Sequence, residues 1–325
     1  MTGDTTKEPL LGPDASRSPS SSNDTLLGND EAAMEKAAFE PQNALTRKFT
    51  EQEWIALRKF RTRLPDVYTA AYGQSTTDAT PHPLAFSIWG IQVNVAEPQA
   101  DPRVSVLLMK FLRAKDLDVD AAQKMLADAL KWRKDIGIDL IGEEDAKKLV
   151  KTTGVSFGHD KDGLPVSYMK AGTIDWKVFQ TDRYLAVHQQ IRGTEYMFRK
   201  ILDFECIHQI VKVVDVKDIT SNPIPVDIGA ELKTMQERYY PGHVAYSVAI
   251  NMPSVTTANW LLRFGKWLDS VLGTPAKSTN HITHVGTDKN EIARTLLARI
   301  DAKQLPRELG GEAEGFSWTA PGPKK

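Results

Sequence analysis

Few residues in this 325-residue chain stand at spacings that catalysis uses. His281 and His284 are a thin metal signal, because the segment Ile282-Thr283-His284-Val285 reads as a strand and residues three apart on a strand point to opposite faces. The single cysteine, Cys206 in Phe204-Glu205-Cys206-Ile207, reads as a small core side chain; one cysteine excludes an internal disulfide framework and fits a reducing compartment. No Gly-x-Gly-x-x-Gly follows a strand, and there is neither a Gly-x-Ser-x-Gly elbow nor a Gly-Lys-Ser or Gly-Lys-Thr ending of a phosphate loop. Val285-Gly286-Thr287 before a helix is only a turn. The residue types point to a binder rather than an enzyme.

The stretch with the strongest pattern runs from Tyr239 to Val285. An apolar strand segment, Tyr246 to Asn251, is followed by Ala258 to Leu272, closed by Gly273 and Pro275. At 3.6 residues per turn Trp260, Phe264, Trp267, Leu268 and Val271 share one face, with Leu261 beside them. Such a helix is either a core element packed on a sheet or a movable lid over an apolar cavity, with tryptophans suited to a membrane interface.

Composition bounds both readings. Hydrophobic residues make up 41% and charged residues 26%, and the net charge is −1 with a pI near 6.7. No global basic field points to nucleic acid. No run of eighteen apolar residues is present to span a bilayer, and the first 22 residues lack the apolar core of a secretory signal. These features lead us to expect a soluble, intracellular protein.

The elements that position the amphipathic stretch follow in order. Residues 1–43 are rich in Ser, Asp, Gly, Thr and Pro and are expected to form a disordered leader. Residues 44–150 are expected to be a helical region. Thr50-Glu51-Gln52-Glu53 is a capping box that opens a helix to about Arg61, stopped at Leu64-Pro65. Phe86 to Gly90 is an apolar patch docked on the body; helices are expected over Val104–Lys115, Val119–Lys134 and Glu143–Val150, with Gly137 as a terminator. From 151 to 316 strands alternate with helices: strands Leu164–Met169, Ile207–Val216, Tyr246–Asn251 and Ile282–Val285, and helices at Asp182–Leu202, Asp227–Glu237 and Asp288–Ile300. That alternation predicts an α/β fold with a mostly parallel sheet and crossover helices. Residues 317–325 are expected to be a flexible tail.

Several segments resemble the CRAL-TRIO family of lipid-transfer proteins. Leu108 to Lys115, with Asp118-Val119 and Lys131-Trp132-Arg133, resembles its N-terminal helical signature, and Lys161-Asp162-Gly163-Leu164-Pro165-Val166 its first-strand turn. Tyr239-Tyr240-Pro241 and Asn251-Met252-Pro253 resemble the motifs around the strand before the gate helix, and Leu305-Pro306-Arg307-Glu308-Leu309-Gly310-Gly311 the closing motif. The match runs in consistent order from about residue 50 to 316. Lys48 to Gly90 and the segment Gly310 to Glu314 look closest to a fungal branch, the non-classical phosphatidylinositol transfer proteins.

The resemblance implies a gate helix, Trp260 to Val271, over an apolar cavity, and one lipid, phosphatidylinositol first, exchanged at cytoplasmic membrane faces. It implies peripheral contact with the endoplasmic reticulum or other internal membranes and a part in phosphoinositide homeostasis, or else a lipid- or haem-occupied sensor without net transfer. Lys115, Lys277 and His243 are the headgroup candidates that it offers. It differs from the phosphatidylinositol-binding pattern at Asp116, and at Gly242 and His243 after Tyr-Tyr-Pro. No cofactor is required. Some members of that branch are associated with haem b through a His-x-Tyr, but Val214 and Val216 occupy those positions here, and valine supplies no axial ligand.

Overall fold

A computed structural model describes residues 40–73, 84–138, 154–173, 183–218, 226–253 and 282–318. Helix α1 (Glu51–Thr62) starts as its sequence predicts. The Thr50 hydroxyl accepts from the Glu53 amide at 3.2 Å, and the Glu53 carboxylate accepts from the Thr50 amide at 2.9 Å. These bonds satisfy two amides that the helix itself leaves unpaired. The helix ends at Thr62, just before Leu64-Pro65 as expected, but a second helix that was not expected follows directly. After a break at Arg63, α2 (Leu64–Tyr72) begins there with the proline in its first turn, where its fixed φ suits a helix and its missing N–H forfeits no bond. Just before α1, in what reads as leader, the Asn43 side chain is buried and donates to the Phe204 carbonyl at 2.8 Å.

The apolar patch at Phe86 is a hairpin. Strands β1 (Ala85–Ile88) and β2 (Ile91–Asn94) pair antiparallel around Trp89 and Gly90, whose φ values of 54° and 78° give the two left-handed positions that a tight hairpin needs. Trp89 is 1% exposed despite its place in a turn, its ring stacked with Phe111 and tilted against Phe198. Helix α3 (Pro102–Ala114) is buried without interruption from Val104 to Leu112. Its Lys110 ammonium donates to the carbonyls of His208 and Gly242 at 2.7 and 2.9 Å. Helix α4 (Val119–Asp135) is capped by Asp118 and followed by Gly137 at φ 64°.

The main sheet has the order β3-β4-β5-β6-β7. Strands β4 (Pro165–Lys170), β5 (Ile210–Asp215), β6 (Val244–Ile250) and β7 (Ile282–His284) run parallel. The first, β3 (Val155–His159), pairs antiparallel with β4 through a bulge. It was not anticipated, because Ser156-Phe157-Gly158-His159 has neither a β-branched run nor a clean alternation. The described helices of this half are α5 (Arg183–Tyr196), continued as a π-helical turn at Met197–Ile201, then α6 (Val226–Tyr239) and α7 (Lys289–Leu297).

Apolar side chains cover both sheet faces, which is why β5 and β6 are rich in valine. Val211, Val213 and Val248 pack with Ile292 and Leu296 of α7. Ile210, Val214 and Ala249 belong to a larger core with Phe198, Tyr240 and the N-terminal helices. Trp318, in what reads as tail, packs against the first of these clusters and lies under the Lys170 ammonium, 4.6 Å from its ring centre. Cys206 is exposed, not a core side chain as expected: the Asp203 carboxylate accepts the amides of Glu205, Cys206 and Ile207 and holds that turn at the surface.

Candidate functional site

Sheet register sets four polar residues in one line. Ser156 pairs with Ser167, Ser167 with Lys212, and Lys212 with Ser247. Their strand neighbours Phe157, Val166, Val211 and Val248 belong to the α7 side, so alternation turns the line toward the opposite face. Ser156, Ser167 and Lys212 line a cavity of about 80 Å³ there, closed in part by Thr194, Met197, Gln236 and His243. A space of that size admits a small polar group.

Among the described residues that line this cavity, Lys212 is the charged one. Burial brings the Lys212 ammonium down to about 8, so it still carries most of its charge at neutral pH. His243, expected as a headgroup partner, does line the cavity, but it is 3% exposed and held well below its ordinary pKa by burial and then by Lys212. Its Nδ1 lies 2.9 Å from the Tyr240 carbonyl, which can only accept, so Nδ1 carries the proton and Nε2 is left as an acceptor. The Gln236 amide oxygen is buried without a hydrogen-bond partner.

The other expected site residues lie elsewhere. Lys115 is exposed at the C-cap of α3 and does not line this cavity. Lys277 and the gate set, Trp260, Leu261, Phe264, Trp267, Leu268 and Val271, lie outside the described residues, as does His281. His284 is exposed, and among the described residues no cluster of three or more His, Cys, Asp or Glu could hold a metal. Val214 and Val216 are each 1% exposed inside the apolar core. They offer haem iron no lone pair, so the residues present at this position do not fit that group.

Two family models match the chain: the CRAL/TRIO N-terminal domain over residues 56–128 and the CRAL/TRIO domain over residues 150–311. The chain belongs to the CRAL/TRIO family. It is 32% identical to Patellin-6 of Arabidopsis thaliana over 184 residues, covering 52% of this chain and 42% of that one. Identity to Patellin-3 of the same plant is 28% over 297 residues, or 86% of this chain and 57% of the relative. The chain thus spans about half the length of these relatives. With the SEC14 cytosolic factor of Candida glabrata it shares 25% identity over 224 residues, 64% of this chain and 70% of that protein. The crystal structure of Sfh5 superposes with a TM-score of 0.55 and 14% identity, covering 83% of this chain and 91% of Sfh5. At that identity the likeness is one of fold.

The CRAL/TRIO domain match begins at residue 150 and so includes β3, the strand that composition concealed. It takes in the whole polar line as well. CRAL/TRIO proteins are, as a class, lipid-binding and lipid-transfer proteins. Among the described residues no helix is long and apolar enough to cross a membrane.

Proposed function

We propose that this CRAL/TRIO protein binds one phospholipid, phosphatidylinositol first among them, and moves it between cytoplasmic membrane faces, including that of the endoplasmic reticulum. In doing so it would support phosphoinositide homeostasis. The observation that carries the reading is the family match across both the helical region and the sheet domain. The physics supports a carrier. Two acyl chains with about 30 methylenes cost roughly 24 kcal/mol to expose to water at about 0.8 kcal/mol each, so unaided escape from a bilayer is slow. A protein that shields the chains lowers that barrier without moving the equilibrium, and no step needs an acid, base or metal.

In this reading the amphipathic stretch from Trp260 to Val271 is the gate, and Lys115 and Lys277 assist an anionic headgroup. His243, held neutral, contributes a hydrogen bond rather than charge. The test is solvent extraction of the purified protein with mass spectrometry, followed by transfer between donor and acceptor vesicles. One phosphatidylinositol per chain together with transfer supports the proposal. Bound lipid that never leaves makes the protein a sensor, and a strong Soret band makes haem its cargo.

A further inference from the structure

A cavity of about 810 Å³ opens at the carboxyl ends of the parallel strands. Lys170 ends β4, Asp215 ends β5 and Ile250 ends β6, and all three line it. Thr287 and Lys289 at the start of α7, and Arg307 beyond that helix, complete the rim. No lining residue is shared with the smaller cavity on the sheet face. The chain leaves a parallel sheet at this edge, and crevices outside carboxyl strand ends are common ligand sites. The volume falls within the roughly 300–1,000 Å³ that small-molecule sites occupy.

Four cations from separate segments line the cavity: Lys170, Lys217, Lys289 and Arg307. Three carboxylates accompany them. Asp215 is buried and already committed, since it accepts the Lys217 amide at 2.9 Å and the Asn251 side-chain amide at 2.8 Å. It thereby ties the ends of β5 and β6 together. Asp218 and Glu308 are exposed. Arg307 pairs with Glu314 at 2.8 Å, but the two side chains are 71% and 75% exposed, and such a pair holds weakly against a competing anion. The Lys170 ammonium lies over the Trp318 ring, and none of Lys170, Lys217 and Lys289 pairs with a carboxylate of another described residue. Beside these charges, Ile250, Ile292 and Leu309 form a buried apolar floor next to Trp318.

We propose that this cavity is a second ligand site, for a phosphate monoester. Lys217 and Lys289 hold the phosphate, and Trp318 with the apolar floor takes the organic part. A phosphate monoester carries about two negative charges at neutral pH and three acceptor oxygens, which suits several ammonium groups better than a single carboxylate does. A soluble metabolite and the headgroup of phosphatidic acid both present that chemistry. The site goes beyond the carrier reading and does not depend on it, since no residue lining it belongs to the gate or headgroup sets.

The experiment titrates the full chain calorimetrically with inorganic phosphate, glucose 6-phosphate and adenosine 5′-monophosphate. In parallel, the chain is sedimented with phosphatidylcholine vesicles, with and without phosphatidic acid. At least one ester, soluble or lipid, is expected to bind about tenfold more tightly than inorganic phosphate, because only an ester has a part for the apolar floor. Lys217→Met combined with Lys289→Met is expected to weaken that binding by at least about tenfold, the loss of one hydrogen bond to a charged group. Both lysines are exposed, so the fold and the uptake of neutral lipid are expected to stay unchanged. Lys303→Met removes an exposed charge outside the cavity and is expected to change nothing.

A soluble ester that binds, and is lost in the double variant, identifies a metabolite site. Binding confined to phosphatidic acid vesicles, and lost in the same variant, identifies a lipid headgroup as the source of the phosphate. No binding in either arm overturns the site, as does binding that the double variant keeps or that Lys303→Met weakens equally. Inorganic phosphate that binds as tightly as the esters overturns it too. Lipid loading that persists through any of these results leaves the carrier reading standing, so the two proposals fail separately.

Discussion

Arg133 of α4 and Glu195 of α5 form a fully buried, two-pronged ion pair, with Nη1–Oε1 at 2.5 Å and Nη2–Oε2 at 3.0 Å. The same carboxylate accepts from the Tyr240 hydroxyl at 2.7 Å and from Arg199 Nε at 3.1 Å. One carboxylate therefore joins the helical region, the helix beside the cavity and the Tyr-Tyr-Pro motif. Burial alone would raise its pKa, but Arg133, the Tyr240 hydroxyl and Arg199 together hold it below the ordinary value of 4.5.

Replacing the carboxylate removes the negative charge that Arg133 and Arg199 face in the core, so Glu195→Gln is expected to lower unfolding stability by about 3–5 kcal/mol at neutral pH. The sign of the pH dependence follows from the depressed folded pKa. The contribution of Glu195 is fully present above its unfolded pKa, near 4.5, and is lost as pH falls through the folded value. Urea titrations from pH 7 down to pH 3 should show a steeper decline for wild-type protein than for Glu195→Gln. Parallel curves would mean that the pair carries no linkage.

Gly310, in the closing Leu-Gly-Gly motif, is held by both backbone and space. Its φ of 93° is left-handed, and a β-carbon there would overlap that of Ala293 in α7. Gly163 has a similar φ of 82° with open space around it. Gly310→Ala is expected to cost about 1–3 kcal/mol, and Gly163→Ala about 1 kcal/mol from backbone strain alone. Equal shifts in the urea midpoints would assign the whole effect at Gly310 to the backbone.

What could be read from the chain divides along physical lines. Capping at Thr50, Asp118 and Asp288 is local chemistry, and each helix begins where those residues place it. The parallel strands were legible because a strand covered on both faces needs a continuous β-branched run. Strand β3 has neither a β-branched run nor a clean alternation, and Trp89 in its hairpin turn is buried by Phe111 and Phe198, which are distant in sequence, so local pattern reveals neither. His243 reads as a cation until its burial and its bond to Tyr240 are known. Lys212, flanked by valines in β5, carries a usable signal: a charge in a strand covered on both faces must meet polar partners.

Lys115 is the described member of the proposed headgroup set that lies at the surface. It is exposed and caps α3, so Lys115→Ala should leave stability within about 0.5 kcal/mol of wild type. In our reading it nonetheless weakens phosphoinositide loading more than loading of neutral lipids. Competition between the two in one vesicle population measures the difference directly. An equal fall for both would make Lys115 a structural cap and remove it from the headgroup set.

Trp267 and Leu268 test the gate, which lies outside the described residues and rests on the family resemblance. A helix that opens onto a bilayer must place its apolar face in the interface, where a buried methylene contributes about 0.8 kcal/mol. Replacing both residues by Asp removes that contribution and adds two charges that anionic lipid surfaces repel. Vesicle-to-vesicle transfer is expected to fall to background while circular dichroism and the urea midpoint stay near wild type. Unchanged transfer by the folded double variant would leave the segment as an ordinary core helix, and the route by which cargo enters would have to be sought elsewhere in the sheet domain.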